Sequence, residues 1–548
     1  MKQILVLVSV ITLAAVCFSV QAKETPAKNE GPSSKSVSGE VSFFKAESSS
    51  STGTVTVAGK GIKYDAIAGT LVVHPRGWDD AAAKPSDEAS GKRAEKNHNP
   101  TAEASMFYVA YFEHGSKPVD RPVTFLFNGG PGSATVWLHM GAFGPRRVVT
   151  LDDSHTPAAP YRMVNNDYSL LDASDLVFVD APGTGFSRIA GKDKEDEFYG
   201  VDGDAHAFTE FISAFLSKYG RWNSPKYLFG ESYGTTRSAV VVNSLATDYE
   251  VDFNGVIMLS QVLAFDLSVD APQYNPGIDL PYQLALPTYA ATAWYHHKLP
   301  ETQGRRTLED LAKDVQDFAM GDYARALAMG AGLPADQRNA IAARLHEYTG
   351  LPIDYILKAD LRINGGEFEK TLQDDSETTT GRLDTRFSGP TIDPLSKEAD
   401  YDPQSAAISS AYVSAFNDYV RRSLGYGQDK AYRNSTDLWR TWNYLHAPPG
   451  ESEPIQQATN VIPDLALAMK YNPQLKILLT GGYFDIATPY YEGAYEMSHL
   501  PIPEKLRGNI TYRYYPSGHM VYANEASLKA LHQDVAEFIR STDNSPSR

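Results

Sequence analysis

Continuous apolar runs alternate with stretches of helical spacing over two parts of the chain. The runs cover residues 106–112, 123–128, 175–187 with its closing glycine turn, 227–234, 255–260, 475–482 and 510–515. Helices are predicted between them, over 204–219, from about 236 to 245, and from about 524 to 540. Strands that are apolar throughout are buried on both faces, which is typical of a parallel sheet with helices on each side. The pattern therefore predicts an α/β fold with a mostly parallel central sheet.

Other segments depart from this alternation. Residues 54–73 combine short β-favouring runs with glycines, as paired antiparallel strands do. Residues 76–100 are polar and are predicted to form a long exposed loop. From residue 265 to 445 the pattern changes to long helical segments, such as 307–330 and 336–348, with few strands. This stretch is expected to be a helical insertion.

The chain is thus expected to contain one large α/β core interrupted by a cap. The first part of the core spans residues 41–264, the helical insertion or cap spans 265–445, and the second part of the core spans 446–548. Large enzyme domains with insertions often exceed the ~150 residues of an average domain. The insertion is expected to cover the functional site and to set side-chain preference.

The N-terminus has the three parts of an export signal over residues 1–22. Lys2 supplies the positive start, residues 4–20 the apolar run, and Val20-Gln21-Ala22 a small-residue cleavage site. The run is shorter than the ~20 residues of a comfortable membrane span and leads into polar residues, which favours cleavage over stable membrane anchoring. Residues 23–40 are rich in Lys, Glu, Ser, Pro and Gly and are predicted to be a flexible leader.

Charge and cysteine content exclude several classes of function. The net charge is −17 and no run of Lys and Arg occurs, which argues against a nucleic-acid partner. Cys17, the one cysteine, lies in the signal, so the mature chain would lack disulfides, a thiol nucleophile and thiolate metal ligands. Export without disulfides favours a bacterial envelope protein, periplasmic or secreted.

His296 and His297 lack helical ligand spacing and no HExxH occurs, so no metal is expected. The GTGFS segment, residues 183–187, lacks the third glycine of a nucleotide fingerprint, and no cofactor is expected.

A lone serine stands between two glycines at the end of the fourth apolar run, in Gly230-Glu231-Ser232-Tyr233-Gly234. A Gly-x-Ser-x-Gly pentad can form the strand-to-helix turn that lifts a nucleophilic hydroxyl above a sheet. The same residues also form ordinary turns. The pentad therefore indicates a catalytic serine only if a base, an acid and an oxyanion hole accompany it.

Candidates for the base and the acid follow the last two apolar runs. A serine hydroxyl needs a base to remove its proton, and an acid must orient that base. Asp485 comes just after the run 475–482, and His519 just after 510–515. The order serine, acid, histidine, each after a sheet strand, is that of α/β-hydrolases. Asp485 alone could equally be a surface turn residue.

An oxyanion hole needs two backbone amides, one from the residue after the nucleophile and one from an early strand-end loop. The first would be Tyr233. The loop Asn128-Gly129-Gly130-Pro131-Gly132 follows an early strand, and Gly130 is the predicted second donor. A plain glycine turn is the alternative reading of this loop.

Taken together, the blocks FNGGPGS, FVDAPGTGFS, FGESYG, GGYFDIATP and SGHMV resemble the serine carboxypeptidase family over most of residues 105–540. The resemblance implies an α/β-hydrolase fold with a helical insertion near the site. It also implies a catalytic triad of Ser232, Asp485 and His519, with oxyanion amides at Gly130 and Tyr233.

The resemblance further implies a site for the terminal carboxylate of a peptide substrate. Asn128 and Glu231 match two of the family's carboxylate-binding positions, and Gly129 belongs to the same substrate-binding block. Ala142, in GAFGP, stands where a further glutamate is expected. A neutral Glu231 can donate to a carboxylate whereas an ionised one repels it, so activity should favour acidic pH.

Two other roles are open for residues in this region. Arg146 or Arg147 could replace the lost contact, because guanidinium pairs well with carboxylate, or both could be solvated. Glu231 could instead serve only to stabilise its turn.

Three functions are compatible with the sequence. The first is an exported serine carboxypeptidase that releases C-terminal residues from peptide substrates through an acyl-enzyme. The second is an esterase or acyltransferase on the same scaffold, suggested by Ala142. The third is a non-catalytic binding protein that keeps the fold. Sequence leaves the preferred terminal residue and the oligomeric state open.

Overall fold

A ten-stranded sheet forms the centre of the protein in the computed structural model, which describes residues 42–80 and 99–544. The strands in these ranges are β1 (Ser48–Val57), β2 (Lys60–Val73), β3 (Glu103–Glu113), β4 (Val123–Phe127), β5 (Arg146–Val148), β6 (Met163–Asn165), β7 (Asp175–Val179), β8 (Arg188–Ala190), β9 (Lys226–Glu231), β10 (Gly255–Leu259), β11 (Thr378–Thr380), β12 (Ser388–Pro390), β13 (Lys476–Gly482) and β14 (Ile510–Tyr515).

The helices of the same ranges lie mostly between or after the strands. They are α1 (Lys194–Phe198), α2 (Val201–Lys218), α3 (Tyr233–Thr247), α4 (Leu280–Tyr295), α5 (Glu301–Gly304), α6 (Leu308–Phe318), α7 (Ala324–Met329), α8 (Ala335–Thr349), α9 (Ile353–Lys358), α10 (Gly365–Thr371), α11 (Pro403–Arg422), α12 (Ile462–Tyr471), α13 (Tyr490–Ser498), α14 (Glu504–Arg507) and α15 (Glu525–Thr542).

The order of strands across the main sheet is β1-β2-β3-β7-β4-β9-β10-β13-β14, and β8 pairs with β3. Strands β1, β2 and β3 pair antiparallel, and β3 pairs antiparallel with β7. From β7 to β14 every neighbouring pair is parallel. The predicted mostly parallel sheet is confirmed, and the carboxyl ends of its parallel strands meet at one edge.

The antiparallel strands expected over residues 54–73 form the hairpin of β1 and β2. The exposed loop expected over 76–100 falls largely on residues 81–98, which lie outside the described residues. The signal predicted for 1–22 and the leader predicted for 23–40 also lie outside them. Within the described ranges, no helix is long and apolar enough to cross a membrane.

Each face of the sheet has its own apolar core. Successive strand residues alternate between the two: Val256 and Met258 of β10 pack with α2, α3 and α12, whereas Ile257 and Leu259 pack with α11 and α15. Because both faces are covered by helices, the parallel strands are apolar throughout.

The helices between residues 265 and 445 divide between two cores. Helices α4, α6, α8 and α10 contribute to a separate apolar cluster that includes Leu286, Leu311 and Phe368. Helix α11 instead packs Tyr412 and Phe416 onto the sheet core. Its apolar stripe shows that one face is buried, but the pattern does not reveal which partner covers that face.

A buried histidine joins three segments at the side of the sheet. His446 Nδ1 lies 2.5 Å from Asp202 of α2, and its Nε2 lies 2.9 Å from Asp464 of α12. Asn243 of α3 donates to the same Asp464 at 3.1 Å. Burial on its own lowers the pKa of His446, but the two carboxylates raise it to about 9. The imidazolium therefore holds α2 and α12 together at neutral pH.

Candidate active site

Ser232 occupies a sharp turn between β9 and α3. Its backbone has φ 60° and ψ −131°, a conformation that side-chain-bearing residues rarely adopt. The flanking glycines allow this turn, because a Cβ on Gly230 would lie 2.2 Å from the Gly234 carbonyl oxygen. A Cβ on Gly234 would lie 2.9 Å from the Phe127 carbonyl oxygen. The pentad thus needs glycine on both sides of the serine, as a strand-to-helix nucleophile turn does.

His519 and Asp485 are paired through their side chains. His519 Nδ1 lies 2.8 Å from Asp485 Oδ2, and both side chains are buried. Thr488 fixes the carboxylate, since its amide donates to Oδ1 at 3.0 Å and its hydroxyl to Oδ2 at 2.7 Å. The backbone of His519 is held by a hydrogen bond from its amide to the Leu383 carbonyl, at 2.6 Å. The segment around Leu383 therefore positions the imidazole.

Opposing effects act on the imidazole of His519. Burial is the largest single effect and lowers the pKa of His519. The Asp485 carboxylate and Glu231 together raise it by more, so the pKa lies above the ordinary 6.5. An acid that stabilises the imidazolium is what a general base at this position requires.

Ser232 and His519 line one cleft of about 890 Å³. The core contributes Asn128, Gly129, Gly130, Glu231, Tyr233, Val262 and Met520, and segments between 265 and 445 contribute Phe265, Asp270, Arg382, Leu383, Ile408, Trp439 and Tyr444. Arg382 pairs with Asp270 through Nε at 3.0 Å and Nη2 at 2.7 Å. The walls thus combine aromatic and aliphatic side chains with several hydroxyl groups, and one ion pair lies at the side. All eight residues predicted for the site except Asp485 line this cleft, and Asp485 reaches it through His519.

The predicted oxyanion loop touches the nucleophile turn. A Cβ on Gly129 would lie 2.5 Å from the Tyr233 amide nitrogen and 2.7 Å from that of Gly234, so this position admits only glycine. Among the described residues, neither Gly130 nor Tyr233 donates its amide hydrogen to an acceptor. Two unpaired amides beside the serine can receive a developing oxyanion.

Arg237 connects this loop to α3, the helix that follows Ser232. Its side chain is fully buried, and Nη1 donates to the Asn128 carbonyl at 2.8 Å. Nε donates to Asp204 of α2 at 2.7 Å, and the guanidinium lies 4.4 Å from the Phe208 ring centroid. The pair therefore fixes the oxyanion loop relative to α3.

Asn128 and Glu231 lie side by side at the end of the cleft. Asn128 Oδ1 accepts from the Leu138 amide at 3.1 Å, which leaves its amide group for other partners. Glu231 Oε2 accepts from the Tyr522 hydroxyl at 2.8 Å. Burial, the largest effect, raises the pKa of Glu231 to about 7, although His519 and hydrogen bonds from Tyr522 and Asn128 lower it. Glu231 therefore changes charge near neutral pH.

Ala142 lies in a π-helical turn, Leu138–Phe143, and is fully buried. Neither Arg146 nor Arg147 lines the cleft. Arg147 instead donates to Glu525 at 2.7 Å and lies over the Tyr168 ring. The proposed replacement of the missing glutamate by one of these arginines is not supported by their position.

Three residues of the site escaped the sequence analysis. Thr488 could have been found, because an Asp followed three residues later by Thr is a common turn pattern. Arg237 and Tyr522 act through side chains that reach other segments, and no local pattern signals such contacts.

Within the described ranges, no group of three His, Cys, Asp or Glu side chains is arranged to hold a metal.

The strand order and the turn at Ser232 define the class of protein. An antiparallel edge leading into parallel strands, with a serine turn after one strand and an acid and a histidine after the last two, is the α/β-hydrolase arrangement. The chain is a serine hydrolase of this fold.

Comparison with protein families narrows the class. The profile of the family described as serine carboxypeptidase matches residues 96–509 of the 548. The chain belongs to the serine carboxypeptidase family, and the resemblance found in the sequence is confirmed.

Solved structures of other α/β-hydrolases are also similar. A proline iminopeptidase of Mycobacterium smegmatis is 13% identical with a TM-score of 0.33, over 80% of this chain and 96% of that one. An α/β-hydrolase fold protein from Chitinophaga pinensis is 12% identical with a TM-score of 0.29, over 86% of this chain and 97% of that one. A lipase in an open form is 15% identical with a TM-score of 0.32, over 80% and 96%. No activity of this chain follows from these likenesses.

Proposed function

We propose that this protein is an exported serine carboxypeptidase that removes C-terminal residues from peptides through an acyl-enzyme. The observation that carries the proposal is that His519, paired with the buried Asp485, lines one cleft with Ser232, Asn128 and Glu231. The family match supports the reaction class.

The first half of the reaction forms the acyl-enzyme. Ser232 Oγ attacks the last peptide carbonyl while His519 Nε2 takes the hydroxyl proton, and Asp485 stabilises the imidazolium. The amides of Gly130 and Tyr233 receive the oxyanion of the tetrahedral intermediate. Collapse of this intermediate breaks the C–N bond, and the departing amine takes the proton from His519. Water then attacks the ester with His519 again as base, which frees Ser232 and the shortened peptide.

Recognition of the C-terminus falls to Asn128 and Glu231. Asn128 can donate its amide hydrogens to a carboxylate at any pH. Glu231 donates only when neutral, and its pKa of about 7 keeps it neutral in mildly acidic solution. Peptide cleavage should accordingly fall as pH rises above 7.

The test is release of a terminal amino acid from N-blocked dipeptides between pH 5 and 8. Ser232→Ala should abolish release, while Ser244→Ala should retain it, because the Ser244 hydroxyl on α3 donates to Asp248 at 3.0 Å and does not line the cleft. Absence of release by the wild-type protein, or equal release by Ser232→Ala, would reject the proposal.

A second candidate is an esterase or acyltransferase, and the observation in its favour is Ala142. With one carboxyl group fewer, the end of the cleft could accept neutral leaving groups. Rapid turnover of small esters without release from blocked dipeptides would favour this candidate.

Export is proposed from the sequence of residues 1–22 alone. Expression of the full chain in a bacterial host, followed by fractionation and N-terminal sequencing of the product, tests it. A mature N-terminus at residue 23 in the periplasm or medium is expected, and an uncleaved product in the cytoplasm would reject it.

A further inference from the structure

Aromatic rings fill the space beside Gly141, the residue before Ala142. A Cβ on the neighbouring Gly141 would lie 2.7 Å from Tyr522 Cδ2 and 2.7 Å from Tyr412 Cε1. Glycine at position 141 thus admits the Tyr522 ring, whose hydroxyl reaches Glu231. Tyr522 lies three residues after His519, in the turn Val521–Ala523.

The hydroxyl of this ring is a permanent hydrogen-bond donor to Glu231. It donates to Oε2 at 2.8 Å, and Tyr522 is only 3% exposed. Burial, followed by the nearby Glu231 charge, raises the pKa of Tyr522 well above 10. The phenol therefore keeps its proton at every pH at which the protein would work, whereas a carboxyl group in the same place would titrate.

A donor on one carboxyl oxygen decides where the acid proton lies. Because Oε2 of Glu231 accepts from Tyr522, the proton of the neutral acid is favoured on Oε1. Glu231 lines the cleft, where a proton on that oxygen could serve as a donor to a substrate.

We propose that Tyr522 is a positioning residue for substrate carboxylates, taking the place of the carboxyl group lost at Ala142 by holding Oε2 so that Oε1 donates. The inference rests on the proposed function, because it deepens the recognition of a peptide C-terminus. It predicts that the substrates are peptides with a free terminal carboxylate rather than amides or esters.

The charge state of Glu231 responds to all the groups that face it. These are His519 and Asp485 from the loops after β14 and β13, Tyr412 from α11, Tyr522, and Asn128 from the loop after β4. Burial raises the pKa of Glu231, His519 and the hydrogen bonds from Tyr522 and Asn128 lower it, and Asp485 raises it. Loss of the Tyr522 hydroxyl removes a donor to the carboxylate, so the pKa of Glu231 should rise.

Binding measured without turnover tests the proposal. In a Ser232→Ala background, calorimetry compares an N-blocked dipeptide with its C-terminal amide from pH 5 to 8.5. The acid should bind more tightly than the amide at pH 5. Tyr522→Phe should reduce this preference about tenfold, the size expected for one hydrogen bond to a charged group. The pH at which the remaining preference is lost should move upward.

Tyr412→Phe is the matched control. Tyr412 is buried against the same glycine, and within the described ranges it makes no direct hydrogen bond to Glu231. It should leave the preference within twofold. Equal behaviour of the two Phe variants, or a Ser232→Ala protein that binds acid and amide alike, would overturn the inference. Failure of the wild-type enzyme to release amino acids, with the binding preference intact and dependent on Tyr522, would overturn the proposed peptidase function but not the role of Tyr522.

Discussion

Replacing Glu231 by glutamine gives the sharpest test of how the cleft recognises a carboxylate. Glutamine has the shape of the neutral acid, can accept from Tyr522 and can donate at every pH. With a pKa of about 7, the wild-type side chain is about 99% neutral at pH 5 and about 9% neutral at pH 8. If only the neutral form binds the substrate carboxylate, this group alone lowers wild-type kcat/KM about tenfold between these pH values.

The ratio of kcat/KM for Glu231→Gln to that for wild type should therefore rise about tenfold from pH 5 to pH 8. Titration of His519 acts on both proteins and largely cancels in the ratio. The ionised Glu231 also raises the pKa of His519, so the glutamine variant should keep a neutral base to slightly lower pH.

The assay is release of the terminal residue from an N-blocked dipeptide, with the methyl ester of the same N-blocked acyl residue as control. The ester lacks the terminal carboxylate, so its ratio should stay within about twofold over the same pH range. A peptide ratio that does not change with pH would refute the reasoning, and so would an ester ratio that rises as much as the peptide ratio.

Three further predictions concern the supports of the site. Gly129→Ala should lower kcat for peptides and esters alike by about 10²-fold or more, because the added Cβ collides with the amide of the nucleophile helix; wild-type rates would contradict it. Arg237→Met should lower the free energy of unfolding by about 3–5 kcal/mol, since it leaves Asp204 buried without its partner; denaturant unfolding measures this, and adding Asp204→Leu should recover part of the loss. The folded-state pKa of His446 lies above 6.5, so its contribution to stability, about 3 kcal/mol at most, is complete below pH 6.5 and is lost as pH rises through about 9. Unfolding melts from pH 6 to 10 should show this decline, and His446→Gln should flatten it; an equal decline in the variant would contradict the assignment.

The sheet and the placement of Ser232, Asp485 and His519 could be predicted because both depend on local signals. Apolar strands and glycine turns are visible in sequence, and the carboxyl ends of parallel strands necessarily meet at one edge. Residues that follow such strands therefore come close together although they are distant in the chain. The same logic found Asn128 and Gly130 after β4.

Contacts made by long side chains between elements could not be predicted in this way. Arg237 lies on α3 and pairs with Asp204 on α2, and nothing in either helix alone shows that the two faces meet. Helix α11 similarly has an apolar stripe. That stripe packs on the sheet rather than on the other inserted helices, and only tertiary packing decides this. The sequence showed that residue 142 is not a glutamate. It could not show that Tyr522, from a different segment, contacts Glu231.

A phenol, Tyr522, stands beside Glu231 in place of a second carboxyl group. This changes the number of ionisations that control binding of the substrate carboxylate. Two carboxyl groups in contact share a proton and titrate as a coupled pair. Burial keeps both Tyr522 and Tyr412 protonated, and His519 becomes the active base when it loses its proton. Among the described residues that face Glu231, only the loss of the Glu231 proton should therefore impair recognition of the peptide. The alkaline limb of kcat/KM for peptides should consequently fall with the slope of a single ionisation. A limb twice as steep would mean that a second acid joins Glu231 in binding the substrate, and the role proposed for Tyr522 would then fail.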